Sequence, residues 1–540
     1  MDGVAFTLNL TSIPRAPLRN LAEDERFREL DKSEAYFRAT QDAHKKYDWS
    51  GNLLGYDQPI RPGWTVPMSQ RRPTSRYDLA KVIVNRLTSM VFGEGKFPEL
   101  RVEGDTEAEE YVRALSKEAR LPVRLAEARS YGGAEGTACL SFGFVDGAPR
   151  VRVHNPKHVS VLRWKDRDEF VVGAAMKAFA YPRNVYNNET RRFERKWFWT
   201  VTFWDELQEI IWRDIPEWIA NEPDWQTKWP RDFQNVHAYG FAPLYWIQNK
   251  PDSSDTDGES DYIGLESTFD DINRLMSATT KGTVANVDPT LVIKEDPATN
   301  TGQVFKGSGN AIFAKGGAEY LELKGTAVEA AERQADHLRQ ACLDVAGVVL
   351  ADPEELSGAA QSAKALEILY QPMLANCDTL RDQYGEFGIK RILVDMLKVA
   401  RRFLTTAPTV ATDGTLVQSK ILLPPKIETD EESGTVTVRE LTPGTSERVT
   451  LNWRPYFSPT WKDIVDATTG MKNANGGKPT VSHRSSVQAI APLIGVEDID
   501  EEMKRIEEEA EADMERQQEA FESQVETESM FAEPKGGKGE

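Results

Sequence analysis

The spacing of apolar positions changes several times along this chain, and each change predicts an element. Leu79, Val82, Ile83, Leu87 and Val91 recur at helical spacing, with Gly93 placed as a stop. A second helical stretch is predicted over Thr106 to Ala128. From Ala138 the period falls to two. ACLSFGFVDGAPRVRVHNPKHVSVLRW reads as strand, Asp-Gly turn, strand, Pro turn, strand, with Val151, Val153, Val159 and Val161 alternating. The aromatic segment Lys196 to Trp212 continues as strand or short helix. The first 75 residues, charged and broken by Pro62, Pro67 and Pro73, read as an arm plus a short helix. These pieces predict an α+β domain that closes in the Ser, Asp and Gly loop starting at Pro251.

Beyond that loop the patterning differs. Leu265, Phe269, Ile272 and Met276 are spaced four, three and four, predicting an amphipathic helix over 261–281 with Ser260 or Asp261 as N-cap. Glycine-punctuated strand-like pieces fill 290–324 and suggest a small β-rich insertion. Val328, Ala331, Ala335, Leu338, Cys342, Val345 and Val349 then alternate threes and fours, a helix with a seam of small side chains. After LADPEELSGAAQ, a third helix is predicted from about Ser362 to Phe403, kinked at Pro372 and weakened at Gly385 and Gly388. Residues 405–455 resume a Thr-rich β pattern, with a hairpin candidate in EESGTVTVRELTPGTSERVTLNW. Helices are expected again near Trp461 to Met471 and His483 to Leu493.

Charge narrows the partners. With a net charge of -20 and a pI near 5.0, the chain is unsuited to wrapping nucleic acid tightly, since such binding needs Lys and Arg to displace counterions. Fifteen acidic against three basic residues between Glu497 and Glu528 supply over half of that charge. Cys139, Cys342 and Cys377 are odd in number and far apart, which suggests neither a disulfide framework nor a zinc site. No basic stretch followed by an apolar run opens the chain, and no run reaches the ~20 apolar residues of a membrane span, so a soluble, unsecreted protein is expected.

Reactive constellations are weak. Gly95-Lys96 and Gly477-Lys478 lack the upstream glycine of a phosphate loop, and Phe97 and Pro479 stand where Ser or Thr would hold Mg²⁺. His154 and His158 have helical metal spacing, but Pro156 lies between them in a strand-like region. Neither GxSxG, HExxH nor CxxC occurs. Asp270-Asp271 and Asp352 with Glu354 are the acidic pairs a nuclease metal would use, though neighbouring carboxylates usually face water. Trp197, Trp199, Trp204 and Trp212 read as core more readily than as a base-stacking platform. No catalysis, metal or cofactor is expected.

Four passages, in order, resemble portal proteins of tailed double-stranded-DNA phages, especially the siphophage type. They are the strand set VRVHNPKHVSVLRW; PLYWIQNKPDSSDTDGESDYIGLESTFDDINRLMSATTKGTVANVDPTLVI; SGAAQSAKALEILYQPMLANCDTL; and SPTWKDIVDATTGMKNANGGKPTVSHRSSVQAIAPLIGVEDIDEEMKRIEEE. The resemblance spans about Tyr77 to Glu509 and leaves the arm and acidic tail unmatched. An Ala-rich stretch follows Ser357-Gly358 where the family often has Leu.

The resemblance implies a portal fold: arm and wing over 1–258, a stem helix over 259–288, a clip over 289–325 and a second stem helix over 326–349. A tunnel loop over 350–361, a long kinked helix over 362–404, wing strands over 405–455, an α-helical crown over 456–512 and the acidic tail over 513–540 complete it. Stem packing falls to Leu265, Phe269, Ile272, Met276, Leu338 and Val345. The tunnel loop centres on Asp352, Pro353, Glu354, Glu355, Leu356, Ser357 and Gly358, a hinge because Pro353 disfavours helix before it. Lys294, Lys306 and Lys315 are the clip lysines expected to face DNA or the terminase.

The implied function is a non-enzymatic conduit, a ring of about twelve subunits at one capsid vertex. Double-stranded DNA passes through it, the terminase large subunit docks on it, and a head-tail connector or adaptor replaces the motor. Scaffolding and major capsid proteins are further partners; no membrane is involved. The location is the virion after assembly in the host cytoplasm. The competing expectations are a metal-dependent nuclease or other enzyme with an unrecognised site, and a coiled-coil capsid scaffold or adaptor.

Overall fold

The computed structural model describes residues 15–54, 66–145, 147–237, 239–252, 255–287, 290–293, 318–321, 326–350, 367–405, 423, 426–429, 436–457 and scattered residues from 469 to 516. The architecture is α+β. The chain divides into two compact units, Met1–Leu350 with Pro372–Arg454, and Ala351–Gln371 with Pro455–Glu540.

In the first unit, helices α1 (Leu18–Ala22) and α2 (Glu25–Phe37) open the described chain. Asp24 starts α2 by accepting the Phe27 backbone N–H at 2.8 Å. Helix α3 (Leu79–Phe92) buries Leu79, Ile83, Leu87 and Val91, as its spacing predicts, and stops at Gly93. Strand β1 (Glu99–Val102) leads into α4 (Thr106–Glu118) and α5 (Leu121–Glu135). The single helix expected over 106–128 is thus two. Arg120 turns the chain at φ 53°, because Pro122 fits only the first turn of a new helix, and α5 runs on to Glu135.

The main sheet comprises β2 (Thr137–Val145), β3 (Ala148–His154), β4 (Val159–Asp166), β5 (Val171–Asn187), β6 (Arg192–Asp205), β7 (Gln208–Pro216), β8 (Phe233–Val236) and β9 (Leu244–Gln248). Its order is β3-β2-β9-β5-β6-β7-β8, with β4 also on β5, and all its pairings are antiparallel. Strands β2 and β3 pair out to Val145↔Ala148, the register a tight Asp-Gly connection requires. Lys196 to Trp212 is strand, turn, strand rather than helix. Both sheet faces are apolar. Ala174, Met176, Ala178, Trp199, Val201 and Phe203 form one, covered by Leu18 of α1 and by the short helices α6 (Glu217–Ala220) and α7 (Trp225–Lys228); Ala175, Trp204 and Trp246 lie on the other. Of the tryptophans expected in the core, Trp199, Trp204 and Trp212 are buried and Trp197 is exposed.

Helix α8 (Glu266–Val287) and helix α9 (Thr326–Ala346) are packed together, with Gly282 near the end of α8 against Val328 at the start of α9. Between them in sequence, β10 (Thr290–Ile293) pairs antiparallel with β11 (Ala318–Leu321). Of the helix expected over 362–403, kinked at Pro372 and weakened at Gly385 and Gly388, residues 362–366 lie outside the described residues and 371–405 are continuously helical. Tyr370 forms a turn, Pro372 sits in the first turn of α10 (Gln371–Asp382), residues Gln383–Lys390 are π-helical, and α11 (Arg391–Thr405) comes last. Gly385 and Gly388 lie in the π segment, where Gly388 lets the backbone approach Ile247 of β9.

The hairpin expected in 431–453 does not form. Strand β12 (Lys426–Thr429) pairs with β13 (Val436–Arg439), while β14 (Val449–Asn452) pairs with β1. Alternation marks a strand but not its partner, and Asp105 captures the turn before β14 through the Thr445 and Ser446 backbone N–H groups. Among the described residues, no helix is long and apolar enough to cross a membrane.

Candidate functional site

The joint where α8 leaves the sheet is built around a fully buried ion pair. Strand β9 ends beside the C-terminus of α5, where the Asn249 backbone N–H donates to Gly136 O at 2.8 Å and the Asp261 N–H to Gly133 O at 2.9 Å. That docking puts the Asp261 carboxylate on Arg129 of α5. The guanidinium donates through Nη2 to both carboxylate oxygens, at 2.8 and 3.0 Å, and both side chains are fully buried. Asn249 Nδ2 donates to the same carboxylate at 3.0 Å, and the Tyr384 hydroxyl, from the π segment, donates to Asn249 Oδ1 at 3.3 Å. Gly132 and Gly133 make this possible: a Cβ on either would overlap Tyr384, Arg129 or Asp261.

Asp261 is therefore an anchor rather than the expected N-cap, and α8 begins later, at Glu266. A buried arginine recruits the nearest carboxylate, since leaving the cation unpaired in the interior costs far more than a lost cap. Farther along α8, Asn273 Oδ1 accepts from Tyr77 N–H at 2.8 Å, and Ser277 Oγ accepts from the Thr74 and Ser75 N–H groups, both at 3.1 Å. The helix thus fixes the chain entering α3.

A second charged cluster lies one layer away and docks α2. Arg26 chelates Asp257 (2.5 and 2.9 Å), which also accepts from Thr137, while Lys157 spans Asp31 (2.8 Å) and Glu34 (2.5 Å). The Tyr262 hydroxyl bonds Ser33 O and Ala134 O. Burial pushes the Glu135 carboxyl up to about 8, reinforced by Glu34 and opposed by Lys157. Burial also pushes Glu34 upward, but Lys157 and Arg38 outweigh it and hold that carboxyl below its ordinary range. A cleft of about 950 Å³ opens over α2, bordered by Asp31, Glu34, Asp42, Lys157 and Asp270; much of its charge is paired internally, Lys45 on Asp42 included.

Three of the predicted stem residues, Leu265, Phe269 and Ile272, are buried, and Met276 is half-buried. Phe269 packs on Tyr36 of α2 and on Tyr262. Leu338 is half-buried, but Val345 is 72% exposed, and the buried stripe of α9 is Ala335, Cys342, Leu343 and Ala346. Ala335 and Cys342 lie on the expected seam, with Val328, Ala331 and Leu338 half-buried along it; the departure is in the last turn, where Leu343 and Ala346 are buried in place of Val345 and α9 contacts α3 as well as α8. The expected tunnel-loop residues Asp352, Pro353, Glu354, Glu355, Leu356, Ser357 and Gly358 lie outside the described residues, as do the clip lysines Lys294, Lys306 and Lys315. So do most of 458–501, where crown helices are expected, and most of the tail.

One array has the residue types of a nucleophile site. Ser141 Oγ is 2.7 Å from His154 Nε2, and Lys177 Nζ is 3.1 Å from His154 Nδ1. Lysine can only donate to Nδ1 here, so the ring proton sits on Nε2 and points at the serine. A general base needs the opposite tautomer. Among the described residues, no group of three or more His, Cys, Asp or Glu side chains could hold a metal ion. Asp271 pairs with Arg274, and Asp270 lies by Tyr36.

Nothing local in the sequence points to Arg129, Asn249, Tyr384, Arg26 or Lys157. The one signal near them is Gly132-Gly133 inside a helical stretch, which marks close backbone approach. No protein-family model matches the chain, and no curated protein matches it.

Proposed function

We propose that this chain is the subunit of a portal ring, the conduit for double-stranded DNA at one vertex of a tailed-phage capsid. The observation that carries the reading is the helical pair α8 and α9, adjacent in sequence around the antiparallel pair β10 and β11. A subunit built this way has a sheet domain for its wing, two stem helices and a β-rich clip projecting from them. The four sequence resemblances, in their order along the chain, support the same assignment of parts.

The buried joint suits the mechanical requirement. A conduit that transmits force from a docked motor needs its stem fixed to its wing, and the Arg129–Asp261 pair with Asn249 and Tyr384 is such a fixture. A net charge of -20 suits DNA that slides past without adhering. In this reading the protein has no reaction of its own. The terminase large subunit docks at the clip and hydrolyses ATP, a head-tail connector later takes its place, and scaffolding and major capsid proteins seat the ring.

Replacing residues 294–317 with a short Gly-Ser linker tests the proposal. The sheet domain keeps its melting temperature, while terminase docking and DNA packaging are lost. Packaging at the normal level by the deletion protein would refute the clip and, with it, the main structural support for the reading.

A further inference from the structure

Strands β5 and β6 run on past the body of the sheet. They pair with each other from Ala174↔Asp205 to Asn187↔Arg192, but β7 pairs with β6 only as far as Phe198. From Pro182 to Trp197 the two strands therefore form an unsupported ribbon, about 20 Å long at ~3.3 Å per residue. Its turn is defined, with Asn187 Oδ1 accepting the Glu189 and Thr190 backbone N–H groups.

The two faces of this ribbon differ. Alternation carries the core-facing register of β6, in which Val201 and Trp199 are buried, outward to Trp197, Arg195 and Phe193. Phe193 is 73% exposed, its register partner Tyr186 49% and Trp197 44%. The aromatic face of a core thus continues beyond the helices that cover it. Tyr186 and Phe193 meet edge to face at 5.3 Å, and the Arg195 guanidinium lies 5.8 Å from the Trp197 ring centre. Exposed aromatic side chains around an arginine have the composition of a protein-protein hot spot.

Charge identifies the partner. The ribbon holds five basic residues against Glu189 and Glu194, a net +3, so the rest of the chain carries -23. Arg191, Arg192 and Arg195 have no ion pair among the described residues. Two copies of so acidic a chain repel one another almost everywhere else on their surfaces. We propose that the β5–β6 ribbon is an arm that grips a second copy of this chain, laying Phe193, Tyr186 and Trp197 on its neighbour and setting Arg195, on the same face, and Arg191, at the turn, against the neighbour's acidic surface. This deepens the ring proposal and rests on it.

Sedimentation velocity on the full chain and on Phe193→Ser and Arg195→Glu, over a range of protein concentrations and at low and high salt, tests the arm. Both side chains are exposed, so melting temperatures stay within about a degree or two of the parent protein, which confirms folding. The concentration for half-assembly rises at least tenfold in each variant, and added salt weakens the parent more than Arg195→Glu. If the parent assembles and both variants assemble at the same concentrations, the arm is refuted and the ring reading stands. A parent that stays monomeric throughout overturns the ring reading and the arm with it. Fluorescence anisotropy with a labelled single-stranded oligonucleotide covers the other occupant: binding lost in both variants, with assembly unchanged, assigns the ribbon to nucleic acid and overturns the arm.

Discussion

Substituting Asp261 by Asn should be among the most damaging single-atom changes in the protein. The Arg129 guanidinium is fully buried and donates to both Asp261 oxygens at 2.8 and 3.0 Å. Asparagine keeps one acceptor but turns an amide N–H₂ toward the cation and removes its counter-charge. Breaking a buried pair from one side costs about 3–5 kcal/mol, because the remaining charge stays desolvated. Replacing both members by apolar side chains, as in Arg129→Met with Asp261→Leu, costs much less, about 0–2 kcal/mol, since no charge is left behind. Asn249 Nδ2 retains Glu259 O at 3.1 Å in that double variant. Urea denaturation monitored by tryptophan fluorescence measures Asp261→Asn together with the parent, the double variant and the single variants Arg129→Met and Asp261→Leu, and the cycle formed by the last four gives the coupling between the two sites. A loss below about 1 kcal/mol for Asp261→Asn, or a double variant as unstable as the two single losses combined, would refute the desolvated pair.

Glu135 carries a pH dependence of defined sign. Its carboxyl is raised to about 8 in the folded protein, so its contribution is complete below the ordinary carboxylate range and is lost as pH rises toward 8. The loss is on the order of 4 kcal/mol. Glu135→Gln should flatten the stability profile between pH 5 and 8 in thermal melts; an unchanged slope contradicts the assignment. Gly133→Ala should cost at least about 1–3 kcal/mol, because its Cβ would overlap Arg129 and Asp261, whereas Gly143→Ala, which meets open space, should leave the denaturation midpoint nearly unchanged. All three cysteines are buried, with Cys139 raised to about 12 and Cys377 to about 11 by burial, so a thiol reagent should titrate none of them until denaturant is added. A serine-directed fluorophosphonate should leave Ser141 unlabelled, because its histidine neighbour donates to it; labelling at that residue contradicts the tautomer.

Local signals in the sequence carry the elements well and their partners poorly. The period-two run from Ala138 and the helical spacing of Leu79 to Val91 depend on one face being buried, and both elements are where that pattern puts them. Chain breaks depend on single residues: Pro122 splits one predicted helix, and Pro372 begins another. Pairing over long distances leaves no local trace, so β14 finds β1 rather than β13. The joint is hidden for the same reason. Arg129 and Asp261 are 132 positions apart, and a charged residue in a helix reads as a solvated face until its partner is seen. The α9 seam is legible through Ala335 and Cys342 and fails only in the last turn, where Leu343 and Ala346 are buried and Val345 is exposed, because spacing alone does not show which neighbours a helix end meets.

Negative-stain electron microscopy of the purified protein near neutral pH shows at once whether the chain closes into a ring. A portal subunit gives closed annular particles of about twelve subunits with an open central hole. A uniform field of monomers or of compact particles without a hole, from protein whose melting curve shows it to be folded, would contradict the ring reading.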